Sequence, residues 1–248
     1  MVPAAFGSLA LSSSTFLAAA PVHLVHSRPA GQPSGDARSF KLQQRDQELY
    51  EPLYRAGVGD GAIVIGLDEV GRGALAGSLT VAAVALPLEP RVFGLDDSKR
   101  LSARKREELL VQIKAVALAI GIAHIQPSQI DAQGMAACLP QAFAAALAAT
   151  DLVPDLVLVD GRPLGIHPAE HAIIKGDRKV ACIAAASIVA KVCRDALMVE
   201  AADIHDNYGW RSNKGYGSAA HIAAIREWGL SPLHRSSFCG SFLQASLF

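Results

Sequence analysis

The chain has 248 residues, 51% of them hydrophobic, which is enough to enclose one large core and excludes a wholly disordered protein. Its 23 basic residues balance 23 acidic residues, so a nucleic-acid partner has to be inferred from local clusters rather than from bulk charge. No apolar run has the length of a transmembrane helix, so no membrane partner is expected. The four cysteines form no Cys-x-x-Cys pair, and this pattern predicts reduced thiols in a cytoplasmic protein.

The first sixty residues differ in composition from the rest of the chain. No Asp, Glu, Lys or Arg precedes Arg28, and the segment is rich in Ala, Ser and Pro. It lacks the basic start of a secretory signal and the arginines of a typical transit peptide. We interpret residues 1–59 as a low-complexity, disordered extension or a mis-assigned start; a targeting segment is the alternative. Within it, the pattern over 42–56 predicts a short amphipathic helix that enters the folded domain.

The segments that follow alternate between strand and helix patterns. An apolar run over 62–67 predicts a strand, and the run over 79–86 predicts its hairpin partner. Ser102 is expected to cap the next helix. The remaining predicted elements are strands over 116–126 and 156–161, a strand-like segment over 172–177, and helices over 130–149, 183–200 and 219–228. This alternation after an initial hairpin favours an α/β sheet with helices on both faces.

Acidic residues end three of these strand-like segments, each beside a glycine-containing turn. They are Asp68-Glu69, Asp160 and Asp177. Because the ligands of α/β sheets bind beyond the strand ends, we expect the four carboxylates to meet in one place. Neighbours within a strand point to opposite faces, so Asp68 and Glu69 converge only if the strand ends there. Turn formation and helix capping by Asp160 and Asp177 are the alternative interpretation.

Four clustered carboxylates repel one another unless cations lie between them. Oxygen ligands without His or Cys suit Mg²⁺ or Mn²⁺ better than zinc. Acid clusters of this kind serve two-metal phosphodiester hydrolysis, in which one ion activates water and the other neutralises the leaving oxygen. The acids therefore indicate a phosphodiester hydrolase that depends on Mg²⁺ or Mn²⁺.

Six collinear sequence blocks carry a more specific signal. Residues 66–73 read Gly-Leu-Asp-Glu-Val-Gly-Arg-Gly, and this segment resembles the opening signature of the ribonuclease HII family, the type 2 ribonucleases H. The other matching blocks are Asp-Ser-Lys-Arg-Leu-Ser over 97–102, Val-Asp-Gly over 159–161, Lys-Gly-Asp over 175–177 with the stretch 184–195, Asn-Lys-Gly-Tyr-Gly over 213–217, and 231–238. The resemblance covers residues 60–240 of the chain.

This resemblance implies a fold and a reaction. The implied fold is α/β, a ribonuclease-H-like mixed sheet flanked by helices, with a catalytic domain over 60–202 and a C-terminal helical extension over 203–248. The implied reaction is hydrolysis of RNA in RNA–DNA hybrids and incision 5′ to ribonucleotides embedded in duplex DNA, which leaves 5′-phosphate and 3′-hydroxyl ends. The catalytic metal ligands would be Asp68, Glu69, Asp160 and Asp177.

The resemblance also implies substrate-binding residues. The Gly71-Arg72-Gly73 backbone and the Tyr216 ring would recognise the 2′-hydroxyl that distinguishes RNA from DNA. Lysines inside the matching blocks are expected to contact phosphates, and His234 is expected to have a core or capping role. The further substrate-binding candidates are Lys99, Lys175, Ser187, Lys191 and Lys214.

Two other functions fit parts of this pattern. Ribonuclease HIII has a similar opening signature, but its fourth acid is typically Glu and it carries a folded N-terminal domain. Asp177 and the composition of the N-terminal segment argue against it. A non-catalytic hybrid-binding protein would be expected to lack at least one carboxylate, and all four are present.

The C-terminal residues 241–248 end in apolar side chains. The spacing of Gln244, Leu247 and Phe248 is similar to that of a sliding-clamp-binding peptide. Packing of a C-terminal helix explains the same pattern, so both interpretations stay open. The protein is expected to act as a monomer.

Overall fold

Five strands form one mixed sheet in the computed structural model, which describes residues 37–243 of the chain. The strands are β1 (Val64–Val70), β2 (Leu79–Ala85), β3 (Ala119–Ile125), β4 (Leu156–Asp160) and β5 (Glu170–Ile173). Their order is β3-β2-β1-β4-β5; β2 is antiparallel to β1 and β3, whereas β4 is parallel to β1 and β5. The central strand β1 therefore has its predicted hairpin partner on one side and parallel β4 on the other.

Helices cover both faces of this sheet. They are α1 (Ala37–Arg55), α2 (Ala103–Val116), α3 (Pro127–Gln133), α4 (Met135–Ala148), α5 (Ala181–Ile204), α6 (Trp210–Asn213), α7 (Ala219–Trp228) and α8 (Ser236–Leu243). One core layer joins the sheet to α1, α2 and α5, and the other joins it to α3 and α4. The predicted α/β architecture is confirmed. Within the described part of the chain, no helix has the length and apolar character needed to cross a membrane.

Helix α1 belongs to the folded core. Leu49, Tyr50 and Leu53 are at most 2% exposed and pack in the same layer as α5. The structure differs here from the predicted extension over 1–59, because the amphipathic helix expected within it has an apolar face to bury. The predictions for residues 1–36 lie outside the described residues.

Helix α5 crosses directly over the central strand. A Cβ on Gly66 of β1 would lie 2.5 Å from the backbone of Cys182 and Ile183, so only glycine allows this approach. Two residues along a strand and one turn along a helix each span a distance of about 6 Å. This matched spacing brings Ser187 of α5 over Asp68 of β1.

The helix predicted over 130–149 is divided in two. Gly134, with φ +80°, ends α3 and precedes α4, and its N–H donates to the carbonyl of Ile130 at 2.8 Å. Apolar periodicity continues through this point, so the sequence pattern alone does not show the break. Glycine in a positive-φ conformation is a common way to end a helix.

The C-terminal helices pack on the β1–β2 loop, which we define as residues 71–78. Backbone hydrogen bonds of 2.8 Å run from Leu75 N–H to the Gly215 carbonyl and from Gly77 N–H to the Leu233 carbonyl. A buried cluster joins Ala76 of the loop to Trp210 and its neighbours. The loop is therefore enclosed by residues from far along the chain. The predicted clamp-binding residues 244–248 lie outside the described residues.

Candidate active site

Asp68 and Asp160 are neighbours on the two central parallel strands. The register pairs Leu67 with Val159, so the next residue on each strand, Asp68 and Asp160, lie side by side on the face that α5 covers. Asp68 is 6% exposed, whereas Asp160 ends its strand and is half-buried. The strand pairing itself thus brings together the first and third of the predicted acids.

Asp68 is surrounded by protein and by negative charge. Burial raises the pKa of Asp68 well above its usual range; a hydrogen bond with the Ser187 hydroxyl opposes this rise, and the charges of Glu69 and Asp160 add to it. Ser187 Oγ also lies within hydrogen-bond distance of Ser98 Oγ, at 2.9 Å, and Ser187 is 5% exposed. The structure therefore places Ser187, which we predicted as a substrate contact, beneath the acids as a partner of Asp68.

Glu69 starts from the other side of β1, because the strand continues to Val70 and neighbouring positions alternate, so the predicted strand end at Asp68-Glu69 is wrong. Its carboxylate nevertheless lies close enough to Asp68 and Asp160 for the charges to interact. The Glu69 carboxylate lies 3.6 Å from Arg72 Nη1. Burial raises the pKa of Glu69, the Arg72 guanidinium opposes that rise, and the charge of Asp160 adds to it.

Asp177 lies on a short 3₁₀ helix over Gly176–Arg178 rather than at a strand end, because β5 already ends at Ile173. The Gly176 N–H donates to Asp160 Oδ1 at 2.6 Å, which fixes this helix next to the end of β4. Asp177 is 7% exposed. Burial raises its pKa, and the nearby charges of Asp97 and Asp160 raise it further.

Asp97 is an acid of this neighbourhood that the sequence analysis did not single out. It is 4% exposed, accepts the Lys99 N–H at 2.9 Å and pairs with Arg178 at 2.7 Å. The Arg178 pair ties the segment before α2 to the 3₁₀ helix that carries Asp177. Asp97 begins the Asp-Ser-Lys block over 97–102, and this position was the sequence signal that it belongs to the site.

The donor set fits a divalent metal ion. Burial raises the pKa of three of the four predicted acids, and the cation nearest to Glu69, Arg72, has a side chain that is 61% exposed. Clustered carboxylate oxygens with this excess of negative charge suit a hard cation such as Mg²⁺ or Mn²⁺. Within residues 37–243, no group of three or more His, Cys, Asp or Glu side chains is arranged as a ready-made ligand set.

Gly71 and Tyr216 meet at the edge of the acid cluster. The Gly71 N–H donates to the Tyr216 hydroxyl oxygen at 3.2 Å, although 145 residues separate them in sequence. Tyr216 is 36% exposed, and the Lys191 Nζ lies 5.7 Å from its ring centroid. Gly71 has φ +87°, a conformation that side chains disfavour. The structure thus brings together two of the residues predicted to recognise the substrate.

The other predicted substrate-binding residues are distributed around this edge. Arg72 and Gly73 are exposed on the β1–β2 loop, and Lys99 lies close enough to Asp177 to lower its pKa against the effect of burial. Lys191 pairs with Asp195 at 2.7 Å. The remaining two lysines have positive φ; Lys175 is exposed and Lys214 is half-buried.

Two buried arginines hold the β1–β2 loop, and the sequence analysis did not assign them this role. Arg194 and Arg235 are each 0% exposed. Arg235 donates to the Gly77 carbonyl at 2.8 and 3.0 Å and to the Arg72 carbonyl at 3.1 Å. Arg194 is spaced by four residues from the apolar Ala190 and Met198 of its helix, and this position was the signal for a buried role.

His234 has the predicted core role, in a buried pair with His221. His234 Nδ1 accepts the Ser231 N–H at 2.9 Å, so its Nε2 carries the proton and donates to His221 Nε2 at 3.1 Å. The same His221 nitrogen accepts the Trp210 Nε1–H at 2.9 Å, which leaves His221 Nδ1 to donate to the Tyr216 carbonyl. Both histidines are therefore neutral, and burial lowers the pKa of each.

Residues 65–241 match the family model described as Ribonuclease HII. The chain belongs to the ribonuclease HII family. Ribonuclease HII of Clostridium acetobutylicum is 44% identical over 207 residues, which cover 81% of this chain and 82% of that protein. Ribonuclease HII of Cereibacter sphaeroides is 46% identical over 177 residues, which cover 71% and 83%.

Solved structures show the same fold. Ribonuclease H2 from Pyrococcus horikoshii superposes with a TM-score of 0.64 at 23% identity, covering 74% of this chain and 98% of that one. Ribonuclease HII of Archaeoglobus fulgidus, solved as a complex with PCNA, gives 0.62 at 28% identity, covering 70% and 93%. Bst ribonuclease HIII in complex with Mn²⁺ gives 0.61 at 17% identity, covering 89% and 77%.

Membership in the ribonuclease HII family decides between the functions that the sequence left open. It favours ribonuclease HII over ribonuclease HIII and over a non-catalytic hybrid-binding protein. The protein is an endonuclease of the hydrolase class that acts on RNA–DNA hybrids, and the predicted enzyme class is confirmed.

Proposed function

We propose that this ribonuclease HII also incises duplex DNA on the 5′ side of a single embedded ribonucleotide, leaving 3′-hydroxyl and 5′-phosphate ends. The observation that carries this proposal is the hydrogen bond between the Gly71 N–H and the Tyr216 hydroxyl. Because Gly71 follows Glu69 by two residues, this bond holds an aromatic ring beside the acids. A glycine backbone and a ring at the edge of a cleavage site suit the recognition of one sugar.

The proposed ligands of the Mg²⁺ or Mn²⁺ ions are Asp68, Glu69, Asp160 and Asp177. Their oxygen-only chemistry, and the Mn²⁺ bound by the structurally similar Bst ribonuclease HIII, support this choice of metal. The chemistry that such ions supply when bound is activation of water and neutralisation of charge at the scissile phosphate. The protein contributes a rigid base, since Asp68 and Asp160 are fixed by strand pairing and Asp177 by the Gly176–Asp160 bond.

Tyr216 and Gly73 are the groups that we assign to the ribose. The Tyr216 oxygen accepts the Gly71 N–H and keeps its own proton, which it can donate to a 2′-hydroxyl oxygen. Its partly exposed ring can stack on the next sugar or base. Arg72 and Gly73 are exposed beside it and can contact the substrate backbone.

Lysines around this edge would bind the phosphates on either side of the cleaved bond. Lys99 lies near Asp177, and Lys191 lies beside the Tyr216 ring, so both are within the proposed footprint. Lys175 precedes the 3₁₀ helix of Asp177, and Lys214 precedes Tyr216 by two residues. Contacts of this kind position the duplex without reading its sequence.

The test is a nicking assay on duplex DNA that contains one ribonucleotide, with Mg²⁺ or Mn²⁺. We expect a nick 5′ to the ribonucleotide, a 3′-hydroxyl that a polymerase extends, and no cleavage of the all-DNA duplex. Asp68→Asn and Asp160→Asn should each abolish the nick. Asp155→Asn is the matched control, because this acid lies at the opposite end of β4 and should not affect cleavage. Cleavage of an RNA–DNA hybrid without any nick at the single ribonucleotide would refute the proposal.

We also propose that residues 241–248 bind a sliding clamp, and that the protein acts as a cytoplasmic monomer. The complex of the Archaeoglobus fulgidus relative with PCNA supports clamp binding. Phe248→Ala should abolish capture by the clamp while nicking of free duplex is retained; unchanged capture would exclude this site.

A further inference from the structure

Arg194 is a buried charge in an apolar setting. It is 0% exposed on the face of α5 that otherwise buries apolar residues and Ser187. Its guanidinium forms no ion pair with any described residue and is satisfied by backbone carbonyls alone. Burial of an unpaired cation is unfavourable, so a residue of this kind calls for a specific role.

The hydrogen bonds of Arg194 join two distant segments of the chain. Nε donates to the Ser78 carbonyl at 2.8 Å and Nη2 donates to the Ala76 carbonyl at 2.9 Å, both on the β1–β2 loop. Nη1 donates to the Lys214 carbonyl at 2.9 Å, two residues before Tyr216. One planar group therefore sets the position of the loop relative to the Tyr216 segment.

The same guanidinium lies against Gly71 and Tyr216, the two residues that the hydrogen bond at the edge of the acid cluster joins. Its central carbon is 5.2 Å from the Tyr216 ring centroid, which is within range of a cation–π interaction. A Cβ added to Gly71 would overlap Arg194 Nε, so the Gly71 backbone rests directly on this side chain. Arg194 thus lies against both residues that form the Gly71–Tyr216 hydrogen bond.

We propose that Arg194 is the positioning residue for ribose recognition, because it holds the Tyr216 hydroxyl in register with the Gly71 amide. This inference rests on the proposed recognition of the ribose by Tyr216. Arg194 does not contact the substrate itself, since it is fully buried. It acts by fixing the position of the Tyr216 hydroxyl, the proposed ribose contact, relative to the Gly71 amide.

Arginine is required here because of its geometry. The guanidinium is a rigid, planar group with several N–H donors. It can therefore donate to three carbonyls in different directions and stack on one ring face at the same time. Lysine keeps the positive charge but presents a single ammonium group on a flexible chain. Arg194→Lys therefore separates the effect of charge from the effect of position.

The experiment is a double-mutant cycle between Arg194→Lys and Tyr216→Phe on duplex DNA with one ribonucleotide. Tyr216→Phe alone should reduce kcat/KM about 10- to 100-fold, because the hydrogen bond to the 2′-hydroxyl is lost and its partner is left unsatisfied. In the Arg194→Lys background, the same change should reduce it less than about 3-fold, because the hydroxyl is already misplaced. A merely structural role would leave the Tyr216→Phe effect unchanged.

Arg235→Lys is the matched control. Arg235 is equally buried and holds the same loop, but it stacks on Phe238 rather than on Tyr216. Tyr216→Phe should therefore keep its full effect in the Arg235→Lys background. Rates are normalised to the folded fraction, and Arg194→Gln replaces Arg194→Lys if the latter does not fold.

The outcomes separate the two proposals. If Tyr216→Phe has no effect in the otherwise unchanged protein, the proposed ribose recognition by Tyr216 fails. If Tyr216→Phe has its full effect both in the unchanged protein and in the Arg194 variant, ribose recognition stands and the positioning role of Arg194 is refuted.

Discussion

The Gly176 N–H donates to Asp160 Oδ1 at 2.6 Å, so one proposed metal ligand holds the segment that carries another. Asp160→Asn retains an acceptor oxygen, and we expect it to abolish cleavage with little loss of stability. Asp160→Ala leaves the buried Gly176 N–H without a partner, which should cost about 1–3 kcal/mol. Urea unfolding of both variants measures the difference. Equal stability would show that the hydrogen bond does not hold this segment.

Asp68→Asn should stabilise the protein in the absence of divalent ions while abolishing its activity. Burial raises the pKa of Asp68, so its ionised form lowers the free energy of unfolding above the pKa of the unfolded chain. Removal of this charge should raise the free energy of unfolding by about 1–3 kcal/mol at pH 8 and by less at pH 4. Thermal melting with a chelator at both pH values tests the sign. A lower melting temperature at pH 8 would contradict it, and the exposed Asp155→Asn serves as the control.

Gly66→Ala should strongly destabilise the fold. The new Cβ would lie 2.5 Å from the α5 backbone, which cannot move without displacing Ser187 from Asp68. Overpacking of this kind costs about 1–3 kcal/mol or more. Gly73→Ala is the matched change, since its Cβ would meet nothing within 4 Å. We expect Gly73→Ala to melt like the unchanged protein but to nick more slowly, and an unchanged rate would remove Gly73 from the substrate site.

The histidine pair should make folding sensitive to acid. Burial lowers the pKa of His234 to about 4, and the neighbouring His221 lowers it as well, whereas an unfolded histidine titrates near 6.5. Between these two pKa values the unfolded chain binds more protons than the folded chain. The stability that neutral His234 contributes is therefore complete above about pH 6.5 and is lost as the pH falls towards 4. The loss from His234 reaches at most about 3 kcal/mol.

Denaturant unfolding between pH 8 and pH 4.5 tests this prediction. His234→Gln should flatten the dependence of the unfolding free energy on pH, because its side chain does not titrate. His171→Gln replaces an exposed histidine on β5 and should leave the slope unchanged. An identical slope for His234→Gln and the unchanged protein would contradict the assignment of a neutral, buried His234.

Local patterns predicted most of the fold. The β1–β2 hairpin follows from two apolar runs separated by glycines, and Ser102 caps α2 by accepting the Lys105 N–H at 3.2 Å. The continuous apolar run over 156–159 also placed Asp160 at the end of β4. These features depend on near neighbours in sequence, which is why propensity and periodicity are enough to find them.

Other features depend on contacts between distant residues. β1 extends past Asp68 to Val70 because β2 continues to pair with it, although the acids read locally as a strand end. Asp177 lies outside β5, because the hydrogen bond from the Gly176 N–H to Asp160, 16 residues earlier, holds this segment in a 3₁₀ helix. No local pattern encodes the contact between Arg194 and the β1–β2 loop, so the sequence signals a buried arginine but not its partners.

The β1–β2 loop is held by arginines that lie 116 residues beyond Ser78 and 163 residues beyond Arg72. The chain is made from its N-terminus, so the strands with Asp68 and Asp160 leave the ribosome before Tyr216 and Arg235 are synthesised. Contacts over such separations also form slowly in folding. The growing chain thus contains the proposed metal ligands first, and the proposed recognition of a ribonucleotide is completed only when the last helices dock.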